Sequence, residues 1–182
     1  MAKSRRNVTF GLHTLVVRPV GRQKSRAILQ AGPLRLLAAL GRSGISSLKR
    51  EGDGATPRAS MRLINGYYRG AGRKAISTSL PMQPIRQDRL WCDDPAHPAY
   101  NRPLRAPFFA SHETLWRKDG LYDLCLVLDW NITMRKRGCG SAIFFHLARP
   151  GYTPTEGCIA LHPRDMRRLL PFLTRKTRMV VS

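Results

Sequence analysis

FFHLARPGYTPTEGCIAL, residues 144–161, is the stretch on which the reading of this chain turns. Its two ends are short apolar runs. The first continues from Ser141 to Ala148 and is bounded by Gly140 and Pro150; the second runs from Cys158 to Leu161. Short apolar runs closed off by Gly and Pro read as buried strands. Between them lies a loop rich in Pro, Gly and Thr that ends in Gly157-Cys158. Two adjacent strands joined in this way can bring His146 face to face with Cys158. A thiol is mostly protonated near neutral pH although its thiolate is the nucleophile. A neighbouring imidazole can take the proton and later deliver it to a leaving amine. Gly157 permits close approach of backbone to a substrate carbonyl. The amides of Gly157 and Cys158 are the candidate donors to a tetrahedral oxyanion.

Working outward, the rest of the chain also reads as mostly strand. Leu12–Val20, Ala27–Gln30, Leu34–Leu40 and Arg62–Asn65 are strand candidates, separated by Gly21 and by Ala31-Gly32-Pro33. Leu121–Asn131 is apolar and ends in Asn131, a turn former; Met179–Ser182 reads as a last strand. After Cys158–Leu161, Pro163 at a first helical position and Asp165 in the first turn open a helix that Pro171 ends. Residues 70–107, rich in Pro, Gly, Arg and Asp, predict a long ordered excursion with little regular structure. There is no internal repeat. The division expected is a basic tail over 1–9 and a single domain over 10–182.

Lys+Arg number 32 against 11 Asp+Glu, a formal net charge of +21, and residues 1–50 contain no acidic residue. Such a field attracts polyanions, so contact with an anionic polymer through the basic surface is expected. Nucleic-acid binding predicts a recognisable module or aromatics interleaved with the basic residues, and neither is found. No apolar run reaches the roughly 18 residues of a spanning helix. The four cysteines, at 92, 125, 139 and 158, form no CxxC, which argues against a structural zinc site. Cys125 lies in an apolar run and reads as core. Lys3, Arg5 and Arg6 resemble the start of a signal peptide, but the apolar stretch after them is short and broken by His13 and Thr14. It is read as strand.

The 144–161 segment resembles the signature of the YkuD-type L,D-transpeptidase family: a strand-borne His, a variable loop, then Ser/Thr-His-Gly-Cys and an apolar residue. His146 matches the first His, Thr155 the Ser/Thr, and Gly157-Cys158-Ile159 the end. Gly52-Asp53-Gly54-Ala55-Thr56-Pro57 resembles the family's Gly-Asp-x-x-Thr-Pro turn, and Leu34–Ile45 occupies the place of its early hairpin. Glu156 stands where the common pattern has His, as in a subgroup with Pro-Thr-x-Gly-Cys, so activation of the thiol falls to His146. The resemblance implies a mainly β, sandwich-like catalytic domain with a few short helices, one of them after the Cys strand.

The resemblance also implies an enzyme of the cell envelope or periplasm that acts on peptidoglycan stem peptides and needs neither metal nor organic cofactor. Cys158 would attack the L,D bond of a donor stem, release D-alanine, and pass the acyl group to an amine. Water as acceptor would make the same site a carboxypeptidase, and a protein–wall bond would make it an amidase. A non-catalytic, basic nucleic-acid-binding protein is the contrasting class. Thr155, Glu156, His112, Tyr100 and Arg102 are the candidate substrate contacts.

Overall fold

The computed structural model describes residues 12–70 and 77–182; the expected tail over 1–9 lies outside them. The chain is mainly β, as the patterning predicts. Fourteen strands are found among the described residues: β1 (Thr14–Val20), β2 (Gln23–Ala31), β3 (Leu34–Ala39), β4 (Ile45–Ser46), β5 (Thr56–Pro57), β6 (Ser60–Tyr68), β7 (Met82–Pro84), β8 (Arg89–Cys92), β9 (Arg102–Arg105), β10 (His112–Thr114), β11 (Leu124–Leu128), β12 (Phe144–Leu147), β13 (Ile159–Leu161) and β14 (Arg178–Val181).

Nine strands make one sheet in the order β11-β12-β13-β3-β2-β1-β14-β6-β7, and β6 also pairs with β11. The sheet therefore closes on itself. The long β6 makes this possible: Ser60–Arg62 pair with β14, and Leu63–Tyr68 pair with β11. Closure gives β11 a neighbour on both sides and leaves β7 as the terminal strand of the order, so the open edge that β11 would otherwise expose is removed. The enclosed core draws on nearly every wall, with Leu15, Leu29, Leu63, Leu126, Phe145 and Ile159 all at or near zero exposure.

α1 (Pro163–Leu169) packs Met166 and Leu169 into the same core. Its start is built as the sequence predicts. Pro163 occupies the first turn and the His162 side chain caps the Arg164 amide, satisfying a donor that the helix cannot. Asn131 is also a turn former, with positive φ and its side-chain amide bonded to the Lys136 and Gly140 carbonyls.

The 70–107 excursion differs from expectation. It contains β7, β8 and β9, and β8 and β9 join β10 in a separate three-stranded sheet, β10-β8-β9. These strands are only three or four residues long, carry Arg89, Arg102 and Arg105, and include Pro103. That composition hides them from a search for apolar alternation. The small sheet packs on the main one through Trp91, whose ring meets Phe144 edge-on at 5.1 Å, and through Asn101. Asn101 accepts from Trp91 Nε1 and from the Ala142 amide, and donates to the Trp130 carbonyl. Tyr100 and Asn101 are thus buried supports of this second layer.

Candidate active site

Strand alternation decides which side chains of β12 and β13 meet. The two strands are parallel, with Phe145 beside Ile159 and His146 beside Ala160. Phe145, Ile159 and Leu161 therefore enter the closed core, while Phe144, His146 and Cys158 share the opposite face. That face forms the floor of a cleft of about 360 Å³, lined by Cys158, His146, Tyr122, Glu113 and Asp93 among others. The small sheet supplies the facing wall. His146 and Cys158, which the sequence reading places face to face, both line this cleft.

The Cys158 side chain is buried and bonded to backbone on both sides. Sγ accepts from the Phe144 amide and donates to the Ala142 carbonyl, each at 3.3 Å. Burial pushes the thiol pKa up to about 12, with the Phe144 amide working against this and the Glu113 charge adding to it. His146 is 3% exposed. Desolvation holds its pKa down to about 4, although a hydrogen bond to the Leu147 carbonyl favours the charged form. The resting pair is accordingly a neutral thiol beside a neutral imidazole.

The imidazole is oriented by two contacts. Nδ1 lies 2.8 Å from the Leu147 carbonyl oxygen. A carbonyl can only accept, so Nδ1 carries the proton and Nε2 is left as the basic nitrogen. The Tyr122 ring meets the imidazole edge-on at 5.2 Å, and its hydroxyl donates to Glu113 at 3.1 Å. On the neighbouring strand β11, Cys125 pairs directly across from His146 on the same face and is fully buried, as its apolar run suggests.

The loop before Cys158 is fixed by Thr155 and Gly157. Thr155 Oγ1 donates to the Cys158 carbonyl at 2.7 Å and accepts from the Gly157 amide at 3.2 Å. The Thr155 amide and carbonyl bond to Leu40 and Arg42, clamping the loop to the turn after β3. Gly157 has φ +136°, and a Cβ there would lie 2.8 Å from the Ala55 carbonyl. Only glycine fits both conditions. The Gly157 amide is therefore occupied by Thr155, whereas no partner of the Cys158 amide is found among the described residues. Of the two oxyanion donors expected, the Cys158 N–H is the one left free.

The Gly52–Pro57 turn supports this loop from below. Asp53 accepts from Lys49 Nζ at 2.5 Å, from the Arg50 amide at 2.7 Å and from the Ala55 amide at 2.8 Å. Burial opposes ionisation of Asp53, but these hydrogen bonds outweigh it and hold the carboxyl below its usual value. Thr56, fully buried, accepts from the Gly41 amide at 2.9 Å. The turn thereby presents the Ala55 carbonyl against Gly157.

The remaining candidates divide. Thr155 and Glu156 line the cleft; Tyr100, Arg102 and His112 do not. Glu156 is exposed and pairs with Arg42 at 2.8 Å. The Tyr100 hydroxyl donates to Glu51, so only its partner reaches the cleft. Arg102 is exposed on β9. His112 bonds through Nδ1 to the Ala110 carbonyl and meets Phe108 edge-on. Its neighbour Glu113 takes the cleft-facing position, because a one-residue step along a strand reverses the face.

Glu113 accepts from Tyr122 and Arg117, and Arg117 and Arg149 both pair with Asp119. Desolvation raises the Glu113 carboxyl pKa despite these partners. Strand alternation through Ser111-His112-Glu113 is the signal that could have pointed to Glu113. For Tyr122, Arg117 and Asp93 the sequence carries none. Among the described residues no group of three His, Cys, Asp or Glu is placed to hold a metal, the four cysteines are all free, and no helix is long and apolar enough to cross a membrane.

A buried thiol, an imidazole held in one orientation and an amide with no partner among the described residues thus meet at one cleft. The model of the YkuD L,D-transpeptidase catalytic domain matches residues 18–181, and the chain belongs to that family. Among solved structures, L,D-transpeptidase 1 of Mycobacterium tuberculosis is similar at 13% identity with a TM-score of 0.40. The match covers 92% of this chain and 61% of that one, so the chain spans less than two thirds of that protein's length. No curated protein matches.

Proposed function

We propose that this protein is a cysteine-dependent L,D-transpeptidase that cross-links peptidoglycan stem peptides in the cell envelope. The observation that carries the reading is the placement of Cys158 and His146 on one face of β12–β13 in a single cleft, with Nε2 the unprotonated nitrogen. Family membership supplies the substrate class.

As the Cys158 sulfur attacks the carbonyl carbon of the donor's L,D peptide bond, its proton passes to His146 Nε2. The resulting oxyanion accepts from the Cys158 N–H. Collapse breaks the C–N bond, and the imidazolium gives its proton to the departing D-alanine amine. The thioester then meets the amine of a second stem. That amine attacks, loses a proton to His146, and expels the thiolate, which recovers the proton. Because the resting thiol donates to the Ala142 carbonyl, its S–H must rotate toward the imidazole when substrate binds. Apo hydrogen bonds of this kind commonly realign in the Michaelis complex.

Incubation of the purified protein with muropeptides, followed by mass analysis, tests the reading. A dimer with loss of D-alanine is the expected product. Loss of D-alanine without a dimer makes the enzyme a carboxypeptidase. Unchanged muropeptides contradict the assignment.

A further inference from the structure

The protein carries 32 Lys+Arg and only 11 Asp+Glu, yet four of those carboxylates, Glu51, Asp93, Glu113 and Glu156, line one cleft. Three of the four have partners. Glu51 accepts from Tyr100, Glu113 from Tyr122 and Arg117, and Glu156 from Arg42. Asp93 is different. Its Oδ1 is sealed from solvent without a hydrogen-bond partner among the described residues, and no cationic side chain there pairs with it. Ser141, 6% exposed and on the same lining, also has a buried Oγ; it lies close to the Tyr100 hydroxyl, which is committed to Glu51, and has no partner in hydrogen-bonding geometry. Two orphaned polar groups in one cleft are costly unless something fills them.

The register of the small sheet sets where Asp93 points. Glu113 pairs with Trp91, and the Asp93 amide bonds to the Ser111 carbonyl. Trp91, Asp93 and Glu113 therefore lie on one face, the face that packs Trp91 onto Phe144 above the Cys158 floor. Asp93 offers an unneutralised carboxylate and Ser141 a hydroxyl that can accept. Glu113 stands beside them but is already paired with Arg117, and Arg117 and Arg149 line the same cleft, so the unmet acceptors are those of Asp93 and Ser141. These two favour a small cation with several N–H donors.

We propose that Asp93 and Ser141, with Glu113 beside them, form a subsite for a primary ammonium group of the substrate. This rests on the acyl-transfer reading above only for the identity of the molecule that brings the ammonium. Two sources share the chemistry: a side-chain amine on the donor stem, or the incoming amine of the acceptor, captured before it loses its proton.

The test begins with binding. Nα-acetyl-lysine methylamide and its Nε-acetylated counterpart are titrated into the full chain by calorimetry. The free amine is expected to bind at least tenfold more tightly, and Asp93→Asn to remove the difference. Ser141→Ala, expected to weaken amine binding severalfold, decides the matter if Asp93→Asn proves unstable in a melting control. Equal binding of the two probes, or amine preference unchanged in both variants, overturns the subsite.

Cys158 acylation by a tetrapeptide donor, read by intact mass, is measured in parallel. If the donor's half-saturating concentration rises tenfold on acetylating its side-chain amine, the ammonium is the donor's. If it does not, and Asp93→Asn slows transfer to amines from preformed acyl-enzyme, it is the acceptor's. If the acyl-enzyme forms and neither occurs, no substrate ammonium uses the site and the proposal fails. Absence of any acyl adduct with amine discrimination intact sinks the transferase reading and leaves the ammonium subsite standing.

Discussion

The two walls of the cleft are built differently. The floor is β12–β13, whose inner side chains Phe145, Ile159 and Leu161 are fully buried in the closed core. The opposing wall is the small β10-β8-β9 sheet, held on by Trp91 and by the hydrogen bonds of Asn101. The floor carries the thiol and the imidazole, which the proposed reaction requires to keep fixed geometry. The wall carries Asp93 and Glu113, to which the proposed recognition falls. The proposed reactive groups thus sit where core packing forbids movement, and the polar lining groups sit on a lighter layer.

Substitutions on the floor should therefore be the more damaging, beginning with Cys158→Ala. With the nucleophile gone, transpeptidation should fall by about 10⁴-fold or more while the melting temperature stays within a few degrees. A steady-state assay on a stem-peptide donor checks this.

His146→Ala should lower kcat/KM by about 10²–10⁴-fold. It should also remove a pH dependence of stability. His146 has a folded pKa near 4, below the roughly 6.5 of an unfolded imidazole. The unfolded chain thus binds the extra proton first, and wild-type stability should drop by about 3 kcal/mol as pH falls from 7 to 4. Denaturant titrations across that range, compared with the variant, measure the difference. The thiol pKa near 12 adds a kinetic signature: iodoacetamide labelling of Cys158 should still be accelerating at pH 9.

Gly157→Ala tests the loop that aims the thiol. The new Cβ meets the Ala55 carbonyl at 2.8 Å in a φ region closed to alanine. A loss of about 1–3 kcal/mol is expected, with a larger fall in kcat than in substrate affinity.

Legibility from sequence divides along the same two walls. The floor announces itself because apolar runs bounded by Gly140 and Pro150 are strong strand signals, and because Gly157-Cys158 after such a run has few structural uses. The Gly52–Pro57 turn was recognisable too, though its task of pressing the Ala55 carbonyl against Gly157 is a tertiary contact that no local pattern encodes. The opposing wall was not legible. Strands of three or four residues bearing arginine and proline look like loop, and their pairing is set by Trp91 and Asn101 contacts distant in sequence. The one-residue difference between His112 and Glu113 follows: without knowing that 112–114 is a strand, nothing says which of the two faces the cleft.

Substitutions around the pair should yield smaller effects. Tyr122→Phe keeps the ring against His146 but removes a donor from half-buried Glu113, costing about 1 kcal/mol in stability. His112→Ala, on the outward face, and Glu156→Gln, whose pairing with Arg42 is solvent-exposed, should each change stability by less than about 1 kcal/mol. A His112→Ala enzyme as impaired as His146→Ala would reverse the assignment of the two histidines.

The central claim is that Cys158 is acylated with His146 as its base. Intact-mass spectrometry of the protein after brief exposure to a tetrapeptide donor reads it directly. Wild type should gain the donor's mass less D-alanine, mapped by peptide digestion to Cys158, with the adduct strongly delayed in His146→Ala and absent in Cys158→Ala. An adduct that persists in Cys158→Ala, or that forms as fast in His146→Ala as in wild type, would contradict it.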